Sequence, residues 1–183
     1  MSDPHLFHFS EDPTIEVFEP RPVRVPAHRP PGQAWLNGPL VWAIDAWHAP
    51  MYYFPRDCPR ILLWKKPGTT DLDLDLWWRG DRVRRMQAHI EADWLPRMRA
   101  TPVYRYSFAA DAFEPLADVG MCVARRPVRP VSLEPVGDLL AALAGANVEL
   151  HMMDDLTPLR AFGKARCTSA ACGCETRGGG AAR

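Results

Sequence analysis

The sequence predicts an α+β fold: one compact domain with a mainly antiparallel, possibly split sheet and two main helices. Three observations carry this. Short apolar runs broken by proline-rich turns fill the first third of the chain. Helical periodicity is confined to two stretches later on. Strand-like runs then alternate with those helices instead of repeating as βαβ units. At 183 residues and 47% hydrophobic content, with seven Trp and seven Phe, the chain has ample material for a core.

Residues 6–9, LFHF, read as a strand ended by the turn SEDP. Residues 17–39 hold EPRPVRVPAHRPPGQ, whose proline density forbids a helix or a central strand. Phe18, Val23, Val25 and Trp35 give it apolar anchors, so a loop packed across the domain is expected. Three strand-like runs follow: PLVWAID ending at Asp45, MYYF at residues 51–54, and RILLW at residues 60–64. Asp71, Asp73 and Asp75 alternate like the start of a calcium loop. Leu76 and Arg82 stand where that loop needs Gly and Glu, so a loop or short helix is expected instead. In DRVRRMQAHIEADWL, Val83, Met86, Ile90 and Trp94 recur at helical spacing. This predicts a helix ended or kinked by Pro96, with Arg82, Arg85 and His89 on its solvated side. TPVYRYSF reads as a strand, MCVARRPVRPVSLEPV as two more, GDLLAALAGAN as a helix ending near Gly145, and VELHMM as a strand.

Composition removes several function classes. The formal charge is zero, so no whole-molecule field draws the chain to nucleic acid or an anionic membrane. No apolar run reaches the ~18 residues of a membrane helix, and MSDPHLFHF lacks the features of a secretory signal. Five scattered cysteines make no disulfide framework. A cytoplasmic protein is expected. Phosphate-loop, G-x-S-x-G and H-E-x-x-H motifs are missing. Cys167, Cys172 and Cys174 fall short of a four-ligand zinc pattern, so no metal is expected.

Residues 1–160 are expected to form the domain, with 161–183 a disordered or frameshifted tail. From Ala165 the composition turns abruptly to Ala, Arg, Cys, Thr and Gly. Shifting permissible codons for ARCTSAACGCETR by two bases can yield ALHVSGMRLRNA, which alternates like a strand. Resequencing the source gene tests this, and the same Cys-rich ending in related intact genes would sink it.

The chemistry-bearing residues cluster at strand ends. His8 and Ser10 sit at the first strand exit, Asp45 and His48 at another, Arg56, Asp57 and Cys58 in FPRDCPR, and Arg105 between tyrosines. Each has a structural role open to it: a cap, a turn, an ion pair, a packed thiol. A Cys58 thiolate would need His48 nearby and would be opposed by Asp57 unless Arg56 or Arg60 offsets it.

LFHFSEDPTIEVFEPR, GPLVWAID, FPRDCPRI and PVRPVSLEPVGDLLAAL together resemble a bacterial family of small proteins of unknown function, over most of residues 5–160. Its members end in a strand like the reconstructed one, from which this tail departs. The first strand, of the form L-[FY]-H-x-[ST], also looks like the opening of ADP-ribosyltransferase-type proteins. That resemblance implies a split antiparallel sheet gripping NAD. His8 and Ser10 would contact ribose, Tyr52 or Tyr53 would pack on a base, and Glu149 would orient the ribose. His8, Ser10 and Glu149 are thus the catalytic candidates. Tyr53, Arg56 and Arg105 are the candidates for holding NAD or another nucleotide, Tyr53 by stacking and the arginines by neutralising phosphate. The alternative is a non-catalytic binding or protein-interaction domain.

Overall fold

The computed structural model describes residues 5–24, 26, 28–117, 120–159 and 172–177. It is mixed α and β with mainly antiparallel pairing, as expected, and the strands fall into two separate sheets. The chain forms two compact units, Met1–Ala49 with Val103–Pro135, and Pro50–Pro102 with Val136–Arg183.

The first unit is mainly β, with short 3-10 turns at Ala34–Asn37 and Ala110–Ala112. Its strands are β1 (His5–Ser10), β2 (Val41–Ile44), β5 (Tyr104–Ala109), β6 (Glu114–Pro115), β7 (Met121–Ala124) and β8 (Ser132–Pro135), in the antiparallel order β6-β7-β2-β1-β5-β8. β1 is central, pairing β2 at Phe7↔Ile44 and β5 from His5↔Ala109 to Ser10↔Tyr104. Leu6, Phe18, Val41, Ala43, Tyr106 and Phe108 belong to one core cluster. The proline-rich segment is pinned as expected at Phe18, which is buried and bridges Val128. Its Trp35 is instead exposed, beneath the Arg125 guanidinium at 4.3 Å, and Val25 lies outside the described residues.

The second unit carries β3 (Arg60–Lys65), β4 (Met86–Glu91), β9 (Val148–Met153) and β10 (Cys172–Arg177), in the order β10-β3-β4-β9. Among the described residues β4 and β9 run parallel and the other pairs antiparallel. Its helices are α1 (Asp71–Trp77), α2 (Leu95–Ala100) and α3 (Leu139–Gly145). Thr70 and Asp73 close a capping box on α1, which explains one of the three alternating acids. Asp138 caps α3 through Leu140 N and Ala141 N. The left-handed residue after α3 is Asn147, with φ 59°, not Gly145. Within the tail, residues 172–177 pair antiparallel with β3 as β10. Cys167 lies outside the described residues, and of Cys172 and Cys174 only the backbone is described.

Two sequence expectations fail. The helix read over DRVRRMQAHIEADWL is strand β4, followed by a 3-10 turn at Ala92–Trp94 and by α2. Met86, Gln87, Ala88, His89 and Ile90 are all buried, because β4 lies between β3 and β9 and both of its faces are covered. Double-sided burial removes the polar face that a helical reading assumes, and Val83, at 80% exposure, is no part of a core stripe. His89 is therefore core rather than solvated. Pro96 opens α2 in its first turn, where its missing N–H costs nothing. The MYYF run is also no strand. A 3-10 helix spans Ala49–Tyr52, and the buried Arg60 guanidinium takes the Met51 carbonyl at 2.9 Å.

Candidate functional site

In the first unit, His8 and Ser10 share one face of β1, as residues two apart on a strand do. His8 Nδ1 lies 2.8 Å from the Trp42 carbonyl oxygen. A carbonyl only accepts, so Nδ1 carries a proton and donates. Phe18 stands edge-on to the ring at 4.8 Å and fixes its plane. Ser10 works in the turn that follows: its hydroxyl accepts Asp12 N, while Asp12 Oδ1 accepts both Thr14 N and the Thr14 hydroxyl. These bonds favour the charged carboxylate and hold the Asp12 pKa below its ordinary value. Tyr106 locks the turn from β5, donating to the Asp12 carbonyl at 2.7 Å and accepting from Ile15 N. The polar cluster of HFSEDP is thus largely turn chemistry, with His8 set apart from it.

Arg105 reaches along β5 to Glu134 on β8 and lies over the Phe7 ring at 5.0 Å. An open groove of about 380 Å³ in this unit is lined by Thr14, Ile15, Tyr106, Val131 and Leu133 among others. None of the six sequence candidates lines it. Asp45 and His48 are joined at the end of β2: His48 Nδ1 donates to Asp45 Oδ1 at 2.8 Å. Cys122, on the neighbouring β7, is half-buried, and burial together with Asp45 pushes its thiol pKa up.

The second unit holds Tyr53, Arg56 and Glu149. Tyr53 is half-buried and Arg56 exposed on the turn of FPRDCPR. The residue that organises this motif is Arg60, only 3% exposed. Its Nε donates to Met51 O and its Nη1 to Cys58 O at 3.1 Å, and its guanidinium lies by the Tyr52 and Phe54 rings. Cys58 is buried and its thiol is pushed up to about 11, chiefly by burial, with Arg60 opposing only in part. It is a packed thiol, so the thiolate nucleophile weighed from the sequence fails, and desolvation rather than Asp57 is the cause.

Glu149 sits on β9 beside Gln87 of β4, whose side-chain amide donates to it at 3.3 Å. Asp81 N also donates to Glu149, and Gly80 packs so closely that a Cβ there would lie 2.5 Å from its Oε1. Two residues along the same pairing, His89 and His151 stack at 4.9 Å. His151 Nε2 is 3.7 Å from Glu149. Neither ring nitrogen of His89 has a hydrogen-bond partner among the described residues. Burial first, then His151 and Arg79, push the His89 pKa down to about 4, so the ring is neutral. Sequence reasoning missed Arg60, Gln87, His89 and His151. The matching x-His positions of MQAHIE and VELHMM were the available signal, readable once both segments are strands.

Six candidates divide evenly, with His8, Ser10 and Arg105 in one unit and Tyr53, Arg56 and Glu149 in the other. Among the described residues no group of three His, Cys, Asp or Glu is arranged to hold a metal ion, and no helix is long and apolar enough to cross a membrane. A family model describing a family of unknown function matches residues 7–169. The chain belongs to this family, DUF6886. The DUF6886 match takes in both HFSEDP and FPRDCPR and every candidate residue named above. Comparison with curated proteins and with solved structures found no match.

Proposed function

We propose that this chain is a cytoplasmic nucleotide-handling protein of ADP-ribosyltransferase-like fold, taking NAD or ADP-ribose, with His8 as the ribose contact. The observation that carries the reading is the place of His8 on the central strand β1, its ring fixed by the Nδ1 bond to the Trp42 carbonyl and by the edge of Phe18. Two sheets built mainly of antiparallel strands, with His8 on a central strand of one, agree with the likeness of LFHFS to the opening of those proteins. Within this reading Ser10 contacts the same ribose, and Arg105 is a weak phosphate ligand, because Glu134 already competes for its guanidinium.

Isothermal titration of NAD and ADP-ribose against wild type and His8→Ala tests this. Saturable binding that His8→Ala abolishes supports it, and at a ligand concentration of 100 times Kd the fold gains about 2.7 kcal/mol in melting experiments. No binding of either ligand to wild type would overturn it. A second reading, a protein-interaction domain, is favoured by edge strand β8, where Leu133 and, just before the strand, Val131 are exposed beside the open groove. It gains if no nucleotide binds while His8→Ala lowers the unliganded melting temperature.

A further inference from the structure

The sheet of the first unit ends in two unlike edges. β6 is two residues long, and its Glu114 is held by the Arg125 guanidinium. β8 is longer, and among the described residues it pairs with β5 alone. A strand paired on one side turns alternate N–H and C=O groups outward on the other. Pro130 and Pro135 have no N–H, so they bound the open stretch to residues 131–134. Beside this edge runs the open groove of about 380 Å³. The register Tyr106↔Leu133 puts Leu133 on the face of the buried Tyr106 ring, which lines the groove. The Tyr106 hydroxyl is already taken up by the Asp12 carbonyl and Ile15 N, so its ring offers carbon. Ile15 adds apolar surface from the turn after β1, and Val131 and Leu133, 58% and 41% exposed, add it from the edge. Glu16, exposed, is the one charged side chain among the described lining residues. Glu134 lies outside the lining and is bonded to Arg105.

Each feature selects an occupant. An open strand edge recognises extended backbone, and an apolar strip beside it takes every second side chain of that backbone. A single carboxylate in the lining calls for a cation on the partner. Size argues against a second copy of this chain. A stable interface takes about 20–30 residues a side, whereas the edge is four residues long and the described lining is nine. We propose that β8 and its groove bind a short extended peptide by strand addition. Alternate apolar side chains of the peptide pack on Ile15, Val131 and Leu133, and a Lys or Arg meets Glu16. The proposal rests on the interaction-domain reading, to which it gives a partner class, and draws nothing from nucleotide binding at His8.

The probes are blocked hexapeptides alternating Val with Thr, with one end residue replaced by Lys or by Glu. They are titrated into isotope-labelled protein, and amide chemical shifts report where and how tightly they bind. The Lys peptides should shift β8 and residues 13–16, with the better of them about fivefold tighter than its Glu counterpart. Glu16→Lys should reverse that order. Methylating one alternate set of peptide amides should weaken binding about tenfold or more, while methylating the other set leaves it, because only one set faces the edge. Leu133→Glu should abolish binding, and Glu16→Lys serves if that variant does not fold. Equal effects of the two methylated sets, or an unchanged order in Glu16→Lys, would overturn the proposal. Shifts confined to another surface would also overturn it and leave the interaction reading standing. If no peptide shifts any amide at millimolar concentration, both fall. A dimer seen by sedimentation and dissolved by Leu133→Glu would assign the edge to a second copy instead. The nucleotide reading is untouched by any of these results.

Discussion

Lowering the pH should unfold this protein through one buried ring. His89 is 1% exposed, has no hydrogen-bond partner among the described residues, and faces His151 and Arg79. Its pKa falls from 6.5 in the unfolded chain to about 4 in the fold. Above pH 6.5 both states are neutral at this position, so the term is silent. As the pH drops below 6.5 the unfolded chain takes up a proton that the folded chain refuses, and stability falls until the folded ring also titrates near pH 4. At about 1.4 kcal/mol per pH unit, that window removes about 3 kcal/mol. Such a loss is a large share of the ~5–15 kcal/mol that holds a domain together. The assay is urea unfolding at pH 7, 5.5 and 4.5 for wild type and His89→Leu. Carboxylates titrate in both proteins, so the difference between them isolates the ring. His89→Leu should match or exceed wild type at pH 7, because it removes buried polar atoms that lack partners. It should then have lost about 2.5 kcal/mol less than wild type by pH 4.5. Equal pH slopes in the two proteins would refute the reasoning, as would a variant much less stable than wild type at neutral pH.

Further outcomes follow from the same contacts. Arg60→Met strips the Met51 and Cys58 carbonyls of their buried donor, and melting should report a loss of about 2–5 kcal/mol. Arg60→Lys should recover only part of it, since a single ammonium does not reproduce the fork. Gly120→Ala combines left-handed strain with a clash against Asp45, whereas Gly32→Ala shares the positive φ with nothing within 4 Å. The first should cost at least about 1 kcal/mol more than the second in urea unfolding. Asp138→Ala removes two bonds from the start of α3 and should lower stability by about 1 kcal/mol, with Asp138→Asn close to wild type.

Strands whose neighbours sit beside them in a sheet with one polar side were legible in the sequence, as were the helix capped by Asp138 and the bend at HFSEDP. β4 was not, because Val83, Met86, Ile90 and Trp94 happen to fall at helical spacing across it, whereas β3, buried on both faces alike, was read from the unbroken apolar run RILLW. MYYF misled for a different reason: its aromatic content suits a strand, but Arg60, nine residues on from Met51, captures its carbonyl and curls it. The candidate residues at strand ends could be listed from the sequence, whereas the partners that decide their roles could not. Tyr106 joins the Asp12 turn from more than ninety residues away, and His89 meets His151 only through a parallel pairing. A buried arginine in FPRDCPR reads the same as an exposed one until its carbonyl acceptors are known.

The chain passes from one unit to the other three times, at residues 49–50, 102–103 and 135–136. Neither unit is therefore a continuous piece of sequence, and no single cut releases one intact. During synthesis β1 must wait roughly 100 residues for β5, its longest partner, to emerge. β4 waits in the same way for β9. Until then two apolar strand edges stand open on the nascent polypeptide. A gene split at any of the three boundaries should yield fragments that recover the fold only when made together, and the order of their assembly would be set by topology before any side chain is consulted.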